Sequence, residues 1–385
     1  MRNFVKMLRD TEHMRQDTKL ASLVKNRKPV GFFNPATDER YFLMGVELSE
    51  ALLSQGVNVV YMCVLDEVAP RFRKYDIKVN LITMSDIYQV KCAEEILVWN
   101  VYEIWAPWMY TYFEKNNIPT YIVEDDKIFW KRRDWFYDHI VDMYDVYSDF
   151  NDEKSKKTFM GVLKYNMTGQ LREYIMAEEP QYMLYGYGPR KGDVVIDGGA
   201  YDGSTAVDFV KYGAKVYAFE MDKINYKKAK GKSEQYGFEL VNKGLGAVQE
   251  ERKYMTNDAG SMVNENGNEV AEFIDIDSWS EEKGIKRIDF IKMDIEGAEM
   301  EALKGACRTI CACKPRMAIC AYHKWEDLFR LQKYIKSLRK DYEFAFRHYP
   351  INGNLFLDET LLNVYKHYDM DMQIPCMWEY VLYAR

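Results

Sequence analysis

The chain has 385 residues, a formal net charge of −7, and 48% hydrophobic and 29% charged residues. That length exceeds what one hydrophobic core usually serves and predicts two domains. The acidic balance, with no extended basic run, excludes nucleic acid as the main partner. The seven cysteines are odd in number and scattered, unlike a disulfide framework. No apolar run approaches the roughly 18 residues of a membrane span, and residues 1–20 lack the apolar centre of a signal peptide. No transmembrane segment and a cytoplasmic location are therefore expected.

After a charged lead-in over 1–26, Pro29–Phe33 is a short apolar run ending at the turn signal Asn34-Pro35. A helical pattern through Leu43, Val46, Leu48, Leu52 and Leu53 stops at Gly56, and 57–64 is a continuous apolar run of the buried parallel-strand kind. Residues 77–82, 96–99 and 120–123 supply further strands, so 27–123 is expected to form a small, degenerate Rossmann-like α/β domain. Where a dinucleotide fold carries glycines, it has Asn34-Pro35-Ala36-Thr37, so no nucleotide is expected there. Residues 124–185 are charged and helical in pattern, with Phe129, Trp130, Trp135, Phe136, Tyr144 and Tyr147; they are expected to be a packed helical connector.

The third part spans 186–385. Val194-Val195-Ile196 is a buried strand ending in Asp197-Gly198-Gly199-Ala200-Tyr201-Asp202-Gly203, and a helical stretch follows over 204–212. Small residues in such a strand–turn–helix unit let a ligand approach the backbone. Lys215–Phe219 is a second strand with Glu220 at its carboxyl end. An acid about twenty residues beyond the glycines can accept both hydroxyls of a ribose. The spacing is Asp-x-Gly-x-x-x-Gly rather than Gly-x-Gly-x-x-Gly. An acid at the strand end repels a pyrophosphate but suits the ammonium and sulfonium of S-adenosylmethionine. That sign selects methyl transfer over hydride transfer.

The stretch Asp197 to Gly203, the strand with Glu220, and above all Ile291-Lys292-Met293-Asp294-Ile295-Glu296-Gly297-Ala298-Glu299 resemble the FkbM family of methyltransferases. Asp277, Pro315, Tyr322-His323-Lys324, Arg347-His348-Tyr349 and the closing Glu379-Tyr380-Val381-Leu382-Tyr383-Ala384 extend the likeness over 181–385, with looser matches at Asp152-Glu153-Lys154-Ser155 and Gln181-Tyr182. The resemblance implies a class I (Rossmann-like) α/β methyltransferase domain with a seven-stranded sheet. It also implies O-methylation of a sugar, glycan or other small-molecule acceptor. Carried onto this chain, it implies S-adenosylmethionine bound by Gly199, Ala200, Tyr201 and Gly203, with Asp197 facing the ammonium and Glu220 the ribose. Met221 and Asn242 would neighbour the adenine, and 258–261, with Ser261, would form a polar loop near the cofactor.

Asp294 and Glu296, after the strand over 288–293, and His323, after the strand over 317–321, are expected at the carboxyl edge of the sheet, where ligands bind in open α/β folds. A hydroxyl acceptor benefits from a general base, and these three are the candidates, with Asp294 also near the cofactor. His323 would suit proton abstraction with an ordinary pKa of about 6.5. Two carboxylates and a histidine could also hold a divalent metal, but no compact ligand motif supports it, so no metal is expected. Cys307, Cys311, Cys313 and Cys320 lack the spacing of a radical enzyme's iron–sulfur motif and read as small core residues. The long segment 351–377 reads as a lid, an acceptor-binding insertion or a surface excursion. Beside O-methylation stand a small-molecule natural-product methyltransferase and a non-catalytic cofactor-binding scaffold; an intact Asp294, Glu296 and His323 set favours an enzyme.

Overall fold

The computed structural model describes residues 1–9, 15–87, 89–90, 92–100, 105–123, 133–171, 174–256, 260–352, 363, 366–368, 373–374 and 378–385. The chain divides into two compact units. One comprises Met1–Tyr144, Lys157–Met176 and Pro350–Met377; the other comprises Asp145–Lys156, Ala177–Tyr349 and Trp378–Arg385. No helix among the described residues is long and apolar enough to cross a membrane.

In the first unit, strands β1 (Pro29–Phe33), β2 (Asn58–Val64), β3 (Asn80–Thr83), β4 (Glu95–Trp99) and β5 (Thr120–Val123) form one sheet in the order β3-β2-β1-β4-β5. Every pairing in it is parallel. The expected strand over 77–82 starts later, at Asn80, where pairing with Tyr61 of β2 begins. The Asn34 turn is built from its own side chain. Asn34 is buried, its amide donates to the Phe42 carbonyl at 3.0 Å, and its Oδ1 accepts from the Ala36 amide at 3.2 Å. Strands β16 (Ile351–Asn352) and β17 (Gln373–Ile374) pair antiparallel; the rest of 351–377 lies largely outside the described residues, as do Phe129 and Trp130. In the stretch expected to be a connector, helices run over Ile140–Asp149 and Glu153–Thr168.

The second unit holds a sheet built from β6 (Val194–Gly198), β7 (Lys215–Phe219), β8 (Glu239–Val241), β13 (Phe290–Met293), β14 (Arg316–Cys320), β15 (Phe344–His348) and β18 (Tyr380–Ala384). The order is β15-β18-β14-β13-β6-β7-β8, seven strands, as the resemblance implies. Strand β18 is antiparallel to both its neighbours, and the other pairings are parallel. The order turns outward in both directions at β6 and β13, which makes the crevice beyond their carboxyl ends the ligand-binding edge. Central strands are buried on both faces, so Phe290-Ile291-Lys292-Met293 is buried throughout, including the lysine.

A second sheet escaped the sequence reading. Strands β9 (Gly244–Leu245), β10 (Glu250–Met255), β11 (Met262–Val263) and β12 (Glu269–Ile274) order as β11-β10-β12-β9. Along β12 the residues alternate exposed and buried, the signal of a one-sided antiparallel strand. Its apolar face gathers Tyr254, Ala271 and Phe273, with Met221 packed against them.

Candidate active site

The turn after β6 is shaped by close backbone approach. Gly199 has φ +78°, and a Cβ there would lie 1.8 Å from the Asp294 carbonyl oxygen. The amides of Gly199 and Ala200 both donate to the Phe219 carbonyl at 3.0 Å. Gly203, at φ +81°, starts the helix Ser204–Lys211, and a Cβ there would press on Phe238 and Ala229. Across this turn stands Glu220. Its Oε2 accepts from the Tyr201 amide and its Oε1 from the Asp222 amide, each at 2.8 Å. Burial pushes its carboxyl up to about 7, against the pull of those two hydrogen bonds.

Around Glu220 the other cofactor candidates are tied together. Asn242 donates to the Glu220 carbonyl at 2.8 Å. Asp222 caps the helix Lys223–Tyr236 by accepting from the Ile224 and Asn225 amides, and Ser261 donates to its other oxygen at 3.1 Å. Asp258, expected in the same polar loop, lies outside the described residues.

Asp197 is paired within the protein. It is 0% exposed, and the Lys292 ammonium, 2% exposed, sits 3.1 Å from its Oδ1. The two residues are register partners on β6 and β13. Lys292 also donates to the carbonyls of Gly198 (3.0 Å) and Gly199 (2.7 Å). Burial pushes Lys292 down, but the Asp197 and Asp294 charges outweigh it and hold the ammonium protonated. The charge of Asp197 is therefore met inside the protein, where it anchors the turn. A lysine in the middle of an apolar strand was the available signal, because a buried charge requires a partner.

Beyond β13 and β14 the three catalytic candidates come together. Asp294 accepts from the Tyr182 hydroxyl at 2.8 Å and from the Tyr322 hydroxyl at 3.0 Å. His323 Nε2 lies 3.6 Å from Asp294 Oδ1 and 3.5 Å from Glu296 Oε2, and its Nδ1 is 2.9 Å from Glu299 Oε1. Glu299 is fully buried and also accepts from the Ile295 amide at 3.0 Å. Burial pushes Asp294 up, yet Lys292, His323 and the Tyr182 hydroxyl outweigh it and hold the carboxyl below its ordinary value. Burial pushes His323 down, but Glu299, Glu296 and Asp294 raise it well above the ordinary value expected from sequence.

Backbone strain marks the same place. Among the described residues seven non-glycine residues have positive φ; Arg27, Asn117 and Lys314 follow helix ends, where such a conformation is ordinary. The other four are Tyr182, Tyr201, Glu296 and Glu379. They lie at this site, where strain is expected to collect. Glu379 accepts from Gln181 at 2.6 Å, and burial together with the Asp294 charge pushes it up to about 7. Tyr182 and Glu299 stood in the sequence only as members of motifs. Nothing in their spacing gave them roles, because they meet through the fold. By contrast Arg347 pairs with Asp152 at 3.2 Å and Ser155 at 2.7 Å, a buried structural knot that accounts for the motif at 152–155.

Residues 197–346 match the family model described as the methyltransferase FkbM domain, so the likeness carried by the motifs is shown for this stretch. Among solved structures, the chain is similar to the methyltransferase FkbM from Methylobacillus flagellatus KT, with 18% identity and a TM-score of 0.62. The alignment covers 100% of this chain and 98% of that one, which shows a shared fold over the whole length. An rRNA methylase from Streptococcus thermophilus aligns at 13% identity and a TM-score of 0.29, covering 51% of this chain and 86% of that one. The precorrin-6y C5,15-methyltransferase from Geobacter metallireducens aligns at 10% identity and a TM-score of 0.31, covering 51% and 81%. No curated protein matches the chain.

Proposed function

We propose that this methyltransferase domain uses S-adenosylmethionine to methylate a hydroxyl of a sugar, glycan or glycosylated metabolite in the cytoplasm. The observation that carries the reading is Glu220 at the carboxyl end of β7, facing the Gly199 to Gly203 turn. A carboxylate offers about four acceptor sites, and the Tyr201 and Asp222 amides occupy two. The remaining two fit the paired hydroxyls of a ribose. Met221, backed by Tyr254, Ala271 and Phe273, offers an apolar side for an adenine.

When bound, the cofactor supplies an electrophilic methyl group on a sulfonium. The residues of the chain then have to orient the acceptor oxygen in line and receive its proton. Asp294 and Glu296 are each 25% exposed at the side chain, open enough to meet an acceptor. Asp294, Glu296 and His323 are the candidate proton acceptors, while Glu299 lies against the far nitrogen of the His323 ring. The density of carboxylates and tyrosine hydroxyls favours an acceptor rich in hydroxyl groups over an apolar one.

Calorimetry with S-adenosylmethionine and its demethylated product, followed by transfer of labelled methyl groups to nucleotide-sugar and glycan pools, tests this directly. Tight binding of a nicotinamide dinucleotide with no binding of either sulfur cofactor would overturn it.

A further inference from the structure

We propose that Asp294, Glu296 and His323 hold a divalent cation of the magnesium–manganese class. No compact ligand motif marks it in the sequence, since Glu296 and His323 stand 27 positions apart in the chain. The fold brings one ligand atom from each within 4.8 Å of the others. With bonds of about 2.1 Å, two ligands lie ~3.0 Å apart at a right angle and ~3.4 Å apart at a tetrahedral angle. The observed 3.5 and 3.6 Å from His323 Nε2 to the two carboxylates need contract by only a few tenths of an ångström.

A second feature points the same way. His323 is 8% exposed at the side chain, and its Nε2, aimed between the two carboxylates, has no hydrogen-bond partner among the described residues. Its other nitrogen lies against the fully buried Glu299, which is fixed in turn by the Ile295 amide. A carboxylate behind the far nitrogen of a histidine is the arrangement that orients metal-binding imidazoles. The backbone is bent to the same end. Glu296 at φ +52° and Gly297 at φ +89° turn the chain so that Glu296 faces His323, and Lys324 clamps the turn by donating to the Gly297 carbonyl. Two carboxylates and one imidazole suit a hard divalent ion, and three protein ligands leave octahedral positions for water and acceptor oxygens. The role of the ion rests on the methyl transfer proposed above: it would bind the acceptor hydroxyl and make its proton easier to remove. Binding of the ion does not rest on that reading.

The test is titration of the full chain with manganese(II) chloride, free ion being read by electron paramagnetic resonance, with S-adenosylmethionine calorimetry on the same sample. Saturable binding of one ion per chain, displaced by excess magnesium, is expected. Glu296→Gln and His323→Ala should each weaken it at least about tenfold, and Glu299→Gln, which only orients the ring, by about 10–100-fold. Glu296 stands on a half-exposed turn, so its variant keeps the test decisive if the buried His323 variant fails to fold. No manganese binding by the wild-type chain, or unchanged binding in Glu296→Gln, would overturn the site. Failure of S-adenosylmethionine binding alone counts against the methyl-transfer reading and leaves the cation site standing.

Discussion

Replacing Lys292 by Met removes the cation that faces Asp197 across β6 and β13. The carboxyl left behind is 0% exposed, and Lys292 is the cation placed 3.1 Å from it. The same change strips a charged donor from the Gly199 carbonyl, whereas the Gly198 carbonyl keeps the Asp294 amide at 3.1 Å. Breaking a buried ion pair by removing one partner costs about 3–5 kcal/mol, because the other charge stays behind. For a unit of this size that is a fall of about 6–20 °C in melting temperature. Removing both charges should recover at least half of the loss, since a buried pair replaced by apolar residues is often neutral. The assay is thermal and urea unfolding of wild type, Lys292→Met, and Lys292→Met combined with Asp197→Val. A single variant that loses less than about 1 kcal/mol would refute the reasoning, because burial would then not be holding the charge. So would a double variant no more stable than the single one.

The remaining outcomes concern the cofactor edge and the acceptor side. Glu220 has a folded value of about 7 against an ordinary 4.5, so its contribution to stability is present below pH 4.5 and lost as pH rises through 7; the change is about 3 kcal/mol, and Glu220→Gln should flatten the stability–pH curve by that amount. Over the same window the affinity for S-adenosylmethionine should rise with pH, as the carboxylate ionises; calorimetry at pH 6 and pH 8 checks it. Gly199→Ala should abolish cofactor binding and lower the melting temperature, because its methyl would sit 1.8 Å from the Asp294 carbonyl at a φ that favours glycine. Asp294→Asn or Glu296→Gln should reduce turnover by about 10²–10⁴-fold in a steady-state assay once an acceptor is found; unchanged turnover in both would mean that orientation alone supplies the rate.

Much of the architecture was legible in the chain because it depends on local pattern. The apolar runs at Pro29–Phe33 and Lys215–Phe219 became strands at those bounds, since a strand buried on both faces shows in sequence as a continuous apolar segment. The Asp197 to Gly203 turn was legible for the same kind of reason: left-handed backbone and close approach at Gly199 leave only glycine. Boundaries shifted where tertiary pairing decides them. The helix after Asp294 begins only at Glu299, because Glu296 and Gly297 are left-handed.

Charge and protonation belonged to the tertiary structure. Asp197 was visible as an acid at a strand end, but only the register of β6 against β13 set Lys292 beside it. His323 looked like an ordinary imidazole until the fold placed Asp294, Glu296 and Glu299 around it. The identity of the residues at the edge of the sheet is a property of sequence, because strand and turn are encoded within a few residues. Their distances, and hence their pKa values and their capacity to share one ion, depend on residues far apart in the chain and exist only once the sheet has assembled.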